Sequence, residues 1–267
     1  MTPSSRPLPS GIDTTVPNVA RMYDYYLGGK DNFEADRVAA DRVLQLVPAV
    51  QAAAYANRRF LRSAVRYLAE TAGIDQFLDL GVGLPTQGAV HEIAHQVNPG
   101  ARVVYVDIDP VVVLHANVLL RAGDKSVAVQ GDFRSPGDIL ADPAVRGHLD
   151  FGRPVAVLLL GLLHFVSDAD DPAGAIGVLR DQLAPGSYVT VSTVVRGRVS
   201  DRKAATEAVK VYDHANARLY PRSEEELEAM FAGFDLLDVP AVLADLRQAP
   251  DAPNLGWSCI ARRPERA

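Results

Sequence analysis

The stretch Gln76-Phe77-Leu78-Asp79-Leu80-Gly81-Val82-Gly83-Leu84-Pro85-Thr86 limits the possible folds more than any other part of the chain. A strand-length apolar run holds an acid near its end, and two glycines spaced one apart precede a helical pattern. That order is the strand, tight turn and helix start of a nucleotide-binding βαβ unit. Glycine permits the sharp turn and lets a ligand approach the backbone where a Cβ would stand in the way. By itself a G-x-G turn does not identify a ligand, so the downstream residues have to.

From Gln76 onward, apolar runs alternate with helical patterns, which predicts a parallel sheet with helices on its faces. The expected strands cover about 76–80, 102–107, 126–130, 154–160 and 187–194, with helices at about 86–97, 110–121, 136–141 and 172–184. Val155 to Leu160 is apolar without interruption, as a central strand buried on both faces requires. An irregular or helical insertion, Arg196 to Arg222, precedes a helix from Ser223 to Phe231. Phe234–Val239 and Trp257–Ala261 read as closing strands, with an antiparallel pairing open to them.

Upstream, residues 1–15 read as a tail and residues 16–267 as one domain, divided into a helical segment, 16–72, and the α/β part, 73–267. Asn18 is placed to cap a helix with apolar positions Val19, Met22, Tyr23, Tyr26 and Leu27, stopped by Gly28-Gly29. Asn32 is placed to cap a second helix running to about Val47. A third, from about Val50 to Glu70, carries Asn57 inside its apolar stripe. A buried Asn needs partners; it is either a paired packing contact or, with Arg58, a residue facing a polar ligand.

The chain has 267 residues, 48% hydrophobic and 22% charged, with a net charge of −6. No fold-wide basic footprint for nucleic acid exists, and no apolar run approaches the roughly twenty residues of a membrane span. Met1 to Ser10 lacks an apolar segment of the signal-peptide kind, and Cys259 is the single cysteine, so a cytoplasmic location without disulfides or cysteine-bound metal is expected.

Two further strand ends carry chemistry. The second strand ends in Asp107-Ile108-Asp109, where Asp107 can accept hydrogen bonds from both ribose hydroxyls of a nucleoside and Asp109 can cap the helix begun by Pro110. The third leads into Gly131-Asp132-Phe133, where Asp132 can accept from an adenine amino group and Phe133 can cover the ring; a plain turn with a core Phe is the alternative. NAD wants a third glycine where Thr86 stands, with Pro85 before it, so a phosphate-free adenosine ligand, S-adenosylmethionine, fits better. His91-Glu92-Ile93-Ala94-His95 matches a zinc-protease pattern, but both histidines lie off the apolar stripe, toward the solvent side, and no third ligand follows; no metal is expected. Asp168-Ala169-Asp170-Asp171 lacks the glycine and glutamate of a calcium loop, and capping by Asp171 accounts for it.

The chain resembles the class I S-adenosylmethionine-dependent methyltransferases. More closely, it resembles a bacterial family of S-adenosyl methyltransferases that was formerly a domain of unknown function. The resemblance is carried by Ala20-Arg21-Met22-Tyr23-Asp24-Tyr25-Tyr26-Leu27-Gly28-Gly29-Lys30-Asp31-Asn32-Phe33, Asn57-Arg58-Arg59-Phe60-Leu61, the opening stretch, Val104 to Pro110, and Leu163-His164-Phe165-Val166. It implies a Rossmann-like, seven-stranded, mostly parallel sheet with the last strand antiparallel, helices on both faces and a helical N-terminal cap over the cofactor. It implies cofactor contacts at Gly81, Gly83, Asp107 and Asp132, with Ile108 and Phe133 flanking adenine and Leu160-Gly161 meeting the methionine part. Asp79, Asn57, Arg58 and Arg21 are added as expected cofactor contacts.

Methyl transfer from a sulfonium is an in-line displacement, so alignment is the main catalytic task. His164, just beyond the fourth strand, is the candidate base if the acceptor must lose a proton, and a histidine satisfied in a turn is the alternative. Tyr25, Tyr26 and Tyr212 are the candidate acceptor-binding residues, with Lys30, His214 and Tyr220 near them. A small-molecule acceptor is expected, without nucleic acid or membrane partners. The rival readings are a module that senses S-adenosylmethionine or its product without turnover, and an NAD-type oxidoreductase.

Overall fold

The computed structural model describes residues 13–84, 88–120, 125–238 and 255–265. Pro85 and Thr86, on which the argument against a pyrophosphate rests, lie outside the described residues, as do Val239 and most of the expected N-terminal tail.

Three helices come first, α1 (Val19–Tyr26), α2 (Glu34–Leu46) and α3 (Ala49–Glu70). Asn18 caps α1, its side chain accepting from the amides of Ala20 and Arg21. The second helix starts one residue later than Asn32 would set it. Asp36 reaches back to accept from the Phe33 amide at 2.7 Å, and the Asn32 amide group donates to Asp24 instead. Gly29 follows α1 because a Cβ there would overlap the Asp24 carboxylate.

The α/β part then runs β1 (Gln76–Leu80), α4 (Val90–Val97), β2 (Arg102–Asp107), α5 (Pro110–Leu119), β3 (Ser126–Gln130), α6 (Pro136–Ala141), α7 (Pro143–His148), β4 (Ala156–Leu160), α8 (Pro172–Gln182), β5 (Tyr188–Val194), α9 (Arg202–Tyr212), α10 (Glu224–Met230), β6 (Asp235–Leu237) and β7 (Gly256–Arg262). Helix α4 begins at Val90 rather than near 86, because the Glu92 carboxylate accepts from the amides of Gly88 and Ala89 and holds them outside the helix. Helix α7, capped by Asp142, is additional to the expected helices, and α9, capped by Asp201, makes part of the 196–222 insertion helical.

The seven strands lie in the order β3-β2-β1-β4-β5-β7-β6. β1 to β5 are mutually parallel, and β7 runs antiparallel to both β5 and β6. The strand order reverses between β1 and β4, so the crevice at their carboxyl ends is the place where open α/β sheets bind ligands.

Alternation along each strand divides the core. On one face Leu78, Leu80, Val104 and Val157 pack against Ile139, Val145, Ile176 and Leu179. On the other Phe77, Val103 and Leu158 pack against Phe60, Leu68 and Ile93. Each such side chain, taken fully out of water, contributes about 1.5–3 kcal/mol. A third core joins Met22, Tyr26, Val43 and Ala54 to Ala208 and Tyr212 of α9. Helix α3 therefore serves two layers, its first turns facing the third core and its later turns the sheet. Among the described residues no helix is long and apolar enough to cross a membrane.

Candidate active site

A cavity of about 870 Å³ lies at the carboxyl ends of the strands, walled by the turn after β1, the ends of β2, β4 and β5, helices α1 to α3, and α9. The turn after β1 is pinned to β2: the amide of Gly81 donates to the Val106 carbonyl at 2.8 Å. Gly81 and Gly83 both have left-handed backbone, φ +73 and +63. The left-handed backbone favours glycine at Gly81, and a Cβ there would also sit 2.8 Å from Leu162 Cδ1 and force that side chain to move.

Asp107 ties this turn to β2, one carboxylate oxygen accepting from the Gly83 amide and the other from the Asp109 amide, each at 2.9 Å. Burial pushes its pKa up, and those two amides work against the rise. Asp109 caps α5 through the Val111 amide and accepts from the Asn18 side chain at 3.2 Å, joining the strand end to α1. Asp79 lines the cavity 6% exposed, and its carboxylate accepts no hydrogen bond from the described residues. Burial pushes its pKa up to about 7; the Arg58 guanidinium lowers it and Asp107 raises it further. Arg58 donates to the Gly88 carbonyl at 3.0 Å.

At the next strand end, Asp132 is paired with Arg134, which holds its pKa below the usual carboxylate range. Phe133 touches the cavity but is mostly committed to the sheet core, whereas Ile108 is 54% exposed on the cavity wall. Gly161, after β4, lies between Asn57 and His164: a Cβ there would be 3.7 Å from Asn57 Nδ2 and 4.0 Å from His164 Cε1.

The side chain of Asn57 is held at both its oxygen and its nitrogen and also lines the cavity. Ser192 donates to its Oδ1 at 2.5 Å, its Nδ2 donates to the Tyr23 hydroxyl at 2.9 Å, and that hydroxyl donates to the Ala54 carbonyl. The hydroxyls of Tyr26 and Tyr212 meet at 3.1 Å, joining α1 to α9 at the cavity wall. Burial raises the pKa of Tyr23, Tyr26 and Tyr212 alike.

His164 sits in the turn after β4, buried, and lines the cavity. Its Nδ1 accepts from the Val194 amide at 3.3 Å and lies 3.1 Å from the Thr193 hydroxyl. Burial and the nearby Arg222 lower its pKa to about 4. Arg222, 4% exposed, donates to the carbonyls of Leu163 and Val166 and to Asp168, clamping the turn that carries His164.

The cavity thus brings together Asp79, Gly81, Gly83, Asp107, Ile108, Asp132, Phe133, Leu160, Gly161, Asn57, Arg58, His164, Tyr26 and Tyr212. Arg21 and Tyr25 are not in its wall. Arg21 pairs with the buried Asp36 at 2.7 Å and donates to the Asp13 and Val16 carbonyls, and Tyr25 donates to Asp41 on α2. Lys30 and His214 are exposed, and Tyr220 reaches the cavity. Sequence reasoning missed Ser192, Thr193, Arg222 and Asp36. The polar positions breaking the apolar pattern of β5 were the available signal for the first two.

The His91 and His95 rings are half-buried rather than solvent-facing. His91 Nδ1 meets the Tyr105 hydroxyl at 2.7 Å and His95 Nε2 the Ala101 carbonyl at 3.0 Å. Among the described residues no group of three or more His, Cys, Asp or Glu is placed to hold a metal.

The cradle that a Cβ would fill and the Asp79 carboxylate, which accepts no hydrogen bond from the described residues, fit an adenosine ligand that carries a cationic group. A family profile described as S-adenosyl methyltransferase matches residues 5–257. No curated protein matches the chain. Among solved structures, a candidate methyltransferase from Thermobifida fusca YX is 40% identical, with a TM-score of 0.86 over 96% of this chain and 98% of its own. A DUF574 family protein from Streptomyces avermitilis MA-4680 is 34% identical, with a TM-score of 0.85 over 94% and 99%. Human N-acetylserotonin methyltransferase, solved in complex with S-adenosylmethionine, is 17% identical with a TM-score of 0.50 over 93% of this chain and 63% of its own, and shares the fold. With one profile spanning nearly the whole chain and two relatives matched over almost their full length, the chain belongs to the S-adenosyl methyltransferase family, and its cofactor is S-adenosylmethionine.

Proposed function

We propose that the chain transfers a methyl group to a small-molecule acceptor held between the strand ends and the helices α1, α2 and α9. The observation that carries this reading is the cavity itself. Its roughly 870 Å³ stand near the upper end of the ordinary range for small-ligand sites, and its charged and neutral residues are unequally spread. Residues 16–72 act as the cap, and 73–267 as the cofactor-binding body.

The cofactor supplies an electrophilic methyl on a sulfonium centre. The residues of this chain bind and orient it. Gly81 and Gly83 give the backbone cradle, and Asp107 accepts from the ribose hydroxyls. Asp132 and Ile108 hold the adenine end with the edge of Phe133. Asp79, whose carboxylate accepts no hydrogen bond from the described residues, takes the methionine ammonium, and Leu160-Gly161 with Asn57 border the sulfur. Arg58 tempers the charge on Asp79. Tyr26 and Tyr212 hold the acceptor side closed, with alignment of nucleophile and methyl as the main contribution to rate. Arg21 and Tyr25 support the cap rather than the ligands. The buried, single Cys259 suits a reducing, cytoplasmic setting.

The test is calorimetry with S-adenosylhomocysteine and with NADH, followed by methyl-transfer assays over an acceptor panel. Binding of the former and not the latter, with methylated product from an uncharged small molecule, is expected. NADH binding alone would overturn the reading, and cofactor binding without turnover on any acceptor would favour a sensing role.

A further inference from the structure

The two ends of the cavity differ in charge. The strand ends of β1 to β3 contribute Asp79, Asp107 and Asp132, whereas every lining residue from α1, α2 and α9 is uncharged. Arg58 and Arg59 of α3, Asp109, Asp170, and Arg134 paired with Asp132 also line the cavity, on its strand-end side. Beyond the strand ends, Arg196 and Arg218 line it too, but both are well exposed and face Glu226 and Asp213. Val43, Val47, Phe165 and Val209 supply apolar wall there. An acceptor carrying a net charge would leave water without a compensating partner, which is strongly unfavourable.

His164 stands at the junction of the two ends. A backbone amide can only donate, so Nδ1, which receives the Val194 amide, is unprotonated, and the Thr193 hydroxyl must donate to it as well. In the neutral ring the proton is then on Nε2. Nε2 makes no hydrogen bond to any described residue, while the ring lines the cavity. Taking a second proton would form a buried cation close to Arg222, which the surroundings oppose.

We infer, on the methyltransferase reading above, that the acceptor is an uncharged, largely apolar molecule and that His164 positions it as a fixed Nε2–H donor instead of removing its proton. The donor faces an oxygen or ring nitrogen beside the methylated atom. The methylated atom is one that holds a lone pair in the neutral molecule, such as a nitrogen. That lone pair forms the new bond to carbon while the carbon–sulfur pair stays on sulfur. The positive charge passes from sulfur to the acceptor, and any proton on that atom leaves to water. His164 is a positioning residue in this scheme.

The test uses the whole chain saturated with S-adenosylhomocysteine. Long-range nitrogen–proton correlation spectra should show His164 in the Nε2–H form at every pH above about 5; the Nδ1–H form would overturn the donor role. Calorimetry with quinoline, quinoline carboxylate and N-methylquinolinium should favour neutral quinoline by at least about tenfold, the size of one lost polar contact. Equal binding, preference for a charged member, or no binding by quinoline would overturn the substrate class. His164→Leu should lose most of the quinoline affinity, and His164→Gln, which keeps an N–H but cannot act as a base, should restore it. Failure of both variants alike, in folded protein, would count against a donor. If S-adenosylhomocysteine itself does not bind, the underlying methyltransferase reading falls too; if it binds and the quinoline series fails, only this inference falls.

Discussion

The strand-end wall and the cap wall of the cavity are built in opposite ways. The first uses backbone amides and carboxylates drawn from short contiguous motifs, so that Asp107 reaches both Gly83 and Asp109 directly. The second uses neutral side chains brought together from distant parts of the chain, as when Tyr26 meets Tyr212 across 186 positions. On the proposed reading the strand ends, with Arg58 and Arg59 of α3, offer charge and fixed donors to a polar ligand, whereas α1, α2 and α9 offer shape and a few neutral hydrogen-bonding groups.

The comparison breaks most severely at the clamp between the two walls. Arg222→Ala leaves the Val166 carbonyl without its Arg222 donor, at about 1–3 kcal/mol for a buried group left unpaired, and leaves the Leu163 carbonyl with the Val166 amide alone. Thermal unfolding should show a drop of that order, and binding at both walls should weaken together because the His164 turn loosens. If only one wall suffers, the clamp is not shared.

Asp107→Ala should act on the strand-end wall alone. S-adenosylhomocysteine binding should weaken by about 1.5–3 kcal/mol, the scale for losing hydrogen bonds to a charged acceptor. Unchanged affinity in a folded variant would remove Asp107 from the ribose.

Asp79 sharpens the same wall through pH. Its folded pKa, about 7, stands above the unfolded carboxylate value, so between the two the folded protein holds a proton that the unfolded chain has released. Its stabilising contribution to the ligand-free protein is therefore complete below about pH 4 and is lost as pH rises through about 7. Denaturant titrations should show that slope in the wild type and not in Asp79→Asn. Cofactor binding should run the other way, releasing a proton below about pH 7 when the carboxylate ionises against the ammonium. Calorimetry in buffers of different protonation enthalpy reads this directly, and no difference between wild type and Asp79→Asn would rule the role out.

The smallest effect belongs to the cap. Tyr26→Phe or Tyr212→Phe should cost about 0.5–1.5 kcal/mol of stability, with the double variant less destabilised than the sum of the singles. Cofactor affinity should stay within about twofold, since neither hydroxyl belongs to the charged wall.

What could be read in the sequence follows the same division. Asn18, Asp107 and Asp109 were recognisable because their partners lie within the same turn or at a strand end whose position the alternation sets. Arg21 was misplaced toward the cavity because its partner, Asp36, lies 15 residues on and helical spacing alone does not say which polar face meets it. Arg222 gave no local signal at all, with its acceptors 54 to 59 residues away. The late start of α4 was hidden because Glu92 caps backwards from inside the helix. The seven-stranded sheet was readable from its apolar runs, whereas the cap core, which joins α1 and α2 to α9 across the whole chain, was not.

The most direct test of the division is a crystal structure of the chain with S-adenosylhomocysteine. Expected is an adenosine lying along Asp107 and Asp132, an amino group on Asp79, and a sulfur that opens toward His164 and the uncharged walls of α1, α2 and α9. A ligand whose sulfur turns away from His164, or whose ribose leaves Asp107 untouched, would contradict it.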